Sequence, residues 1–161
     1  MTKILLSLHV LAAILAVGPV TVAASMFPAA VRRVPVGVTA GGGDGADTGD
    51  VSTVRLLHRI CRVYAGLGIA VPVLGFATGA SMGVLGDAWL VASITLTAAA
   101  AGLLVAFVLP RQEELLEQLT DLRPVERART ARLAMFTGVF NLLWATVTVL
   151  MIVRPGSTTG A

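Results

Sequence analysis

The side chains with the clearest potential for chemistry are two histidines and a few methionines. His9, Met82 and Met151 offer an imidazole and two thioethers, which are ligands that suit Cu(I). Either His9 or His58 could instead hold a haem through one axial bond. A copper site and a haem site are therefore both open hypotheses. The favoured interpretation is ordinary packing without a cofactor, since methionine also fills gaps between helices.

The sequence contains no pattern typical of a catalytic site. No serine, cysteine and histidine set resembles a nucleophile with its base, and neither HExxH nor P-loop spacing is present. Cys61 is the only cysteine, which rules out a disulfide within the chain. We predict that the protein is not an enzyme and has no catalytic residues.

Three arginines form a basic face with possible affinity for lipid. Arg55, Arg59 and Arg62 share one side of a predicted helix, and anionic headgroups attract such residues by about 1 kcal/mol each. We predict that they contact lipid headgroups. The net charge of +3 and pI near 10 do not indicate nucleic-acid binding, because basic residues commonly flank membrane helices and no basic stripe is interleaved with aromatics.

The elements that position these residues are four long apolar segments. The chain is 56% hydrophobic and 13% charged, whereas soluble domains carry about 25% charged residues. Four runs without Asp, Glu, Lys or Arg cover 28, 24, 23 and 21 residues: 4–31, 63–86, 88–110 and 133–153. A helix needs about 20 apolar residues to cross a bilayer, and in lipid its backbone must be satisfied internally. The sequence predicts an all-α bundle of four transmembrane helices.

We predict one membrane domain over residues 1–161. Its helices cover about 3–27, 52–80, 88–109 and 124–153, with a flexible linker at 28–50 and an amphipathic segment at 111–123 that lies on the membrane or extends the third helix. Pro72 is expected to kink the second helix. The length of the first run, with His9 and Pro19 inside it, favours a retained helix over a signal peptide.

The distribution of basic residues predicts the orientation. Lys3 and Arg154 are the only basic residues at one end of the four spans. Ten arginines flank the other end: Arg32, Arg33, Arg55, Arg59, Arg62, Arg111, Arg123, Arg127, Arg129 and Arg132. Cytoplasmic loops are enriched in Lys and Arg, so we expect both termini outside. Eleven arginines against one lysine suggest a bacterial protein, located in the cytoplasmic membrane.

Small and polar residues predict how the helices pack. Gly75, Gly79 and Gly83 form overlapping GxxxG pairs, which favour close approach to the third helix around 98–102 or a homodimer contact. Asn141 needs a partner within hydrocarbon, and Ser93, Thr95 and Thr97 are the expected candidates. The alternative for Asn141 is a role in a pore or ligand site.

The first helix carries a resemblance to a known family. Residues 6–18, LSLHVLAAILAVG, resemble the opening of a bacterial family of predicted four-helix integral membrane proteins of unknown function. The glycine-rich second helix and basic third connection are similar as well, although Ala12 stands where the family would have glycine. A more distant similarity to the copper-resistance D membrane proteins implies that copper is relevant.

The leading functional prediction is a non-enzymatic accessory subunit of a larger membrane complex, or a small homo-oligomer, in contact with the lipid bilayer. A haem- or copper-binding membrane protein is the first alternative, and a small-molecule carrier is the second. The four apolar runs contain no Asp, Glu, Lys or Arg, which leaves only His9 as an ionisable candidate, whereas proton-driven carriers usually keep an ionisable group within the membrane. The scarcity of such groups disfavours an autonomous proton-coupled transporter.

Overall fold

The computed structural model describes residues 2–34, 46–121 and 123–156, and every regular element within these ranges is helical. The helices are α1 (Thr2–Arg33), α2 (Ala46–Leu67), α3 (Ala70–Met82), α4 (Ala88–Leu103), α5 (Leu109–Thr120) and α6 (Arg127–Val153), with a π-helical turn at Leu104–Val108. Four stretches in the described part are long and apolar enough to cross a membrane: Thr2–Arg33, Val51–Met82, Ala88–Thr120 and Arg127–Val153. The predicted fold class is confirmed, and the protein is a multi-pass membrane protein.

The first helix is longer than the sequence predicts. It continues from Phe27 to Arg33, because Phe27, Pro28 and Val31 are buried and extend its packed face. The predicted linker at 28–50 is therefore helical at 28–33 and at 46–50. Its central residues, 35–45, lie outside the described residues.

The second span is interrupted before Pro72 rather than at it. Gly68 and Ile69 separate α2 from α3. Proline lacks the N–H that would bond to the carbonyl four residues earlier. That carbonyl belongs to Gly68, and it accepts a bond of 3.1 Å from the N–H of Val71 instead. The local rearrangement thus keeps the backbone satisfied within the apolar layer.

The third span runs from α4 through the π-helical turn into α5. The N–H of Leu109 bonds to the carbonyl of Leu104, which gives the wider turn just before Pro110. Such turns often relieve the loss of a hydrogen bond at proline. The amphipathic segment is thereby an extension of the third helix, one of the two arrangements considered from the sequence.

The bundle is organised around α1, which packs along α2 and α3 on one side and on α6 on the other. α4 packs on α6, and α5 packs on α2. A buried core connects these helices: Val20, Ala24, Phe27 and Val31 of α1, Val54, Leu57 and Cys61 of α2, and Leu104, Val108, Leu115, Leu119, Leu133 and Phe140. We call the end with Lys3 and Arg154 the terminal end and the opposite one the arginine end.

The structure corrects the expected role of the glycines in packing the second and third spans together. α3 makes few contacts with α4 and packs on α1 instead. Gly75 faces His9 of α1, and only Gly79 faces α4, against Leu90. Gly83 ends α3 in the left-handed conformation, with φ of 70°. The close contacts of Gly75 and Gly79 thus lie inside the chain.

Asn141 faces the bundle but bonds to a different helix from the one expected. Its Nδ2 donates to Oγ of Ser25 in α1 at 3.0 Å. Ser93, Thr95 and Thr97 instead donate to carbonyls of their own helix, at 2.7–2.9 Å. These hydroxyls are thus satisfied within α4, and the predicted pairing with Asn141 does not form.

Candidate functional site

A small cavity at the terminal end contains all three residues of the copper hypothesis. His9 of α1, Met82 at the end of α3 and Met151 of α6 all line it, and its volume is about 30 Å³. We call it the terminal cavity. A cavity of this volume is large enough to hold a water molecule. Residues separated by up to 142 positions in the chain thus meet around one small cavity.

The orientation of His9 is fixed by a backbone carbonyl of α3. Its Nδ1 lies 3.0 Å from the carbonyl oxygen of Val71. A carbonyl can only accept, so Nδ1 must carry the proton and donate it. In the neutral ring this leaves the lone pair on Nε2. Histidines that bind metals commonly donate their other ring N–H to a backbone carbonyl in this way.

Gly75 provides the space for the imidazole ring. A Cβ atom on Gly75 would lie 2.9 Å from Cε1 and 3.3 Å from Nδ1 of His9. A side chain at this position would therefore require either the ring or the backbone of α3 to shift. The glycine is part of the site because it brings the backbone of α3 within reach of α1.

Polar groups form the rim of the terminal cavity. Arg154, which also lines the cavity, places its guanidinium 5.6 Å from the ring centroid of Trp89 and donates from Nε to the carbonyl of Met151 at 3.3 Å. Trp89 in turn donates from Nε1 to Oδ2 of Asp87 at 3.0 Å. These contacts hold the end of α6 against the start of α4.

The geometry at His9 does not suit a haem. The terminal cavity is far smaller than a porphyrin, so a haem would require the helices to separate. His58 lines a different cavity at the arginine end, so the two histidines cannot share one iron. Charged side chains surround that second cavity, which makes it a poor match for an apolar macrocycle.

The arginine end contains a larger cleft between α2 and α5, which we call the charged cleft. Arg55, His58 and Arg62 line one wall, whereas Arg59 does not line the cleft. Three acidic residues of the third span form the other wall: Glu113, Glu117 and Asp121. The predicted basic face is therefore opposed by acidic groups.

A buried polar chain joins α2 to α5 beneath this cleft. Nδ1 of His58 lies 3.2 Å from Oε1 of Gln112, and Nε2 of Gln112 donates to Sγ of Cys61 at 3.6 Å. Gln112 and Cys61 are fully buried. Sequence reasoning missed Gln112, although it lies on the same helical face as Leu115 and Leu119, a spacing that marks the packed side of α5.

The acidic wall was also missed as part of a site. Glu113 and Glu117 are four residues apart and so share one face of α5. Their spacing was visible, but which helix this face meets depends on the packing of α5 against α2.

Comparison with known proteins gave no match: no family model, no curated protein and no solved structure is significantly similar to the chain.

Proposed function

We propose that this protein is a non-enzymatic membrane protein that binds one Cu(I) ion in the terminal cavity, through Nε2 of His9 and the sulfurs of Met82 and Met151. The observation that carries the proposal is that these three side chains, from three different helices, line one cavity of about 30 Å³. The bond from His9 to the Val71 carbonyl supports it, because it leaves Nε2 as the ring atom able to bind a metal.

The ligand set favours Cu(I) over other biological cations. Thioether sulfurs are soft ligands that select Cu(I), whereas zinc is bound by thiolate, imidazole and carboxylate. Within the described residues, no group of three or more His, Cys, Asp and Glu side chains could hold a metal. The guanidinium of Arg154 also lines the cavity, and it repels a monovalent ion less than a divalent one.

We also propose an orientation of the protein in the membrane. The ten arginines around the arginine end favour placing that end in the cytoplasm, so the terminal cavity would open on the outer side of a bacterial cytoplasmic membrane. We expect an alkaline phosphatase fused to the C-terminus to be active, since this enzyme folds only outside the cytoplasm. A fluorescent protein fused at the same place and exported unfolded should remain dark. The reverse pattern would contradict this orientation.

Metal titration tests the copper site directly. Purified protein in lipid nanodiscs, kept reduced, is expected to take one Cu(I) equivalent from a chromophoric chelator. Met82→Leu and Met151→Leu should each weaken binding by about 100-fold, since losing even an outer-shell partner commonly costs 10–100-fold. His9→Asn should do the same while its amide N–H can still reach the Val71 carbonyl. X-ray absorption should show one nitrogen and two sulfur ligands.

Two other methionines provide the matched control. Met26 and Met135 have 54% and 58% of their surface exposed, and both point away from the core. Met26→Leu and Met135→Leu should bind Cu(I) like the wild type. If wild-type protein took up no stoichiometric Cu(I), or if Met82→Leu and Met151→Leu bound it unchanged, the terminal cavity would be a packing feature only. The accessory-subunit and homo-oligomer interpretations stay predictions that are compatible with such a site.

A further inference from the structure

The charged cleft is large enough to hold a lipid headgroup. Its volume is about 490 Å³, and it lies between α2 and α5 at the arginine end. Arg62 directly precedes the charge-free run that begins at Val63, and Pro110 ends the run that leads into α5. The end of the cleft nearest Arg62 therefore lies where the hydrocarbon layer of the membrane meets the lipid headgroups.

Opposite charges face each other across this cleft without pairing. Arg55 and Arg62 lie on the α2 wall, and Glu113 and Glu117 lie on the α5 wall. In the described ranges the ion pairs are Arg123–Asp121 and Arg129–Glu126, each at 3.6 Å, and neither joins the two walls. The cleft thus holds separated positive and negative walls, which complement a ligand carrying both charges.

A histidine also faces the same space. His58 is 9% exposed and lines the cleft. Because Nε2 of Gln112 donates to Cys61, its Oε1 is the acceptor for His58 Nδ1–H. In the neutral ring this leaves the lone pair on Nε2 of His58, which can accept a hydrogen bond from a donor in the cleft, such as an ammonium N–H.

We propose that the charged cleft binds the zwitterionic headgroup of an aminophospholipid, with its phosphate near Arg55 and Arg62 and its primary ammonium near Glu113 and Glu117. Arginine matches phosphate oxygens well, and a primary ammonium supplies three hydrogen-bond donors for carboxylates. An anionic headgroup without an amine would leave the acidic wall facing like charge. A choline headgroup would bring a positive charge that cannot donate hydrogen bonds.

Native mass spectrometry of delipidated protein with added lipids tests the proposal. We expect phosphatidylethanolamine to bind at least about tenfold more tightly than phosphatidylglycerol, which corresponds to about 1.4 kcal/mol. Arg55→Gln with Arg62→Gln should remove this preference by weakening phosphatidylethanolamine binding. Glu113→Gln with Glu117→Gln should reverse it in favour of phosphatidylglycerol, a gain of binding that an unfolded variant could not produce.

Neighbouring residues outside the cleft serve as controls. Arg59→Gln and Glu114→Gln change the same charges on exposed positions of α2 and α5, so the lipid preference should stay as in the wild type. Equal binding of both lipids by the wild type would overturn the proposal, and tighter binding of phosphatidylglycerol would indicate simple attraction of anionic lipid instead. Binding of soluble phosphoethanolamine without retention of the intact lipid would assign the cleft to a free metabolite and also overturn the lipid assignment.

Discussion

Replacing Phe27 with alanine is expected to lower the free energy of unfolding by about 3 kcal/mol, at the lower end of the usual cost of Phe→Ala in a core. Phe27 has no exposed surface and belongs to the core cluster that joins α1 to α2 and to the third span. Lipid gives no hydrophobic force between helices, so the loss comes from packing contacts rather than from exposure to water. Unfolding in mixed micelles with increasing SDS would measure it.

Phe76 offers a matched control for Phe27. Its side chain is 59% exposed and points away from the core, toward the surrounding lipid. Phe76→Ala should therefore change the free energy of unfolding by no more than about 0.5 kcal/mol. Equal destabilisation by the two substitutions would contradict a bundle whose centre lies around α1.

The membrane spans could be predicted because their signal is one of length and composition. Each charge-free run has the 21–28 residues that a bilayer demands, so the number of spans follows from the sequence. The ends of the helices are less well determined by the sequence. α1 extends to Arg33 because Phe27, Pro28 and Val31 pack on neighbouring helices, and this packing is a tertiary effect.

The packing of the helices could be predicted only in part. Gly75 and Gly79 were recognised as close-contact positions, but a GxxxG pattern does not state which helix fills the gap. Asn141 was expected to need a partner, yet Ser25 was not considered, because the order of helices around the bundle is not encoded in any local pattern. Pairing between distant helices depends on the fit of whole faces.

The candidate sites could likewise be predicted only in part. His9, Met82 and Met151 could be grouped in advance because all three fall at the same depth in the predicted spans, and the terminal cavity brings them together. The charged cleft itself was not predicted; only the basic face of α2 was, and Arg59 of that face does not line the cleft. The second wall and the buried Gln112 depend on how α5 continues from α4 and turns its face toward α2.

Gly75→Leu is expected to destabilise the protein by about 2–4 kcal/mol and to abolish stoichiometric Cu(I) binding. The new Cβ would lie 2.9 Å from Cε1 of His9, and the rest of the leucine would occupy the space of the ring. Overpacking costs about 1–3 kcal/mol, and the lost bond to the Val71 carbonyl adds about 1 kcal/mol. SDS-induced unfolding and chelator competition would measure the two effects on the same preparation.

Two further variants separate the loss of the His9 contact from the general cost of a larger residue. Gly138 is exposed in α6 with no atom within 4 Å of an added Cβ, so Gly138→Leu should be neutral or slightly stabilising, since leucine is a better helix former than glycine. In a His9→Ala background the ring is absent, and Gly75→Leu should then cost less than about 1 kcal/mol. Such a coupling between the two positions is expected only if His9 rests on Gly75, because independent sites would give additive effects. Additive losses would place the imidazole elsewhere and remove the basis for a metal ligand at Nε2.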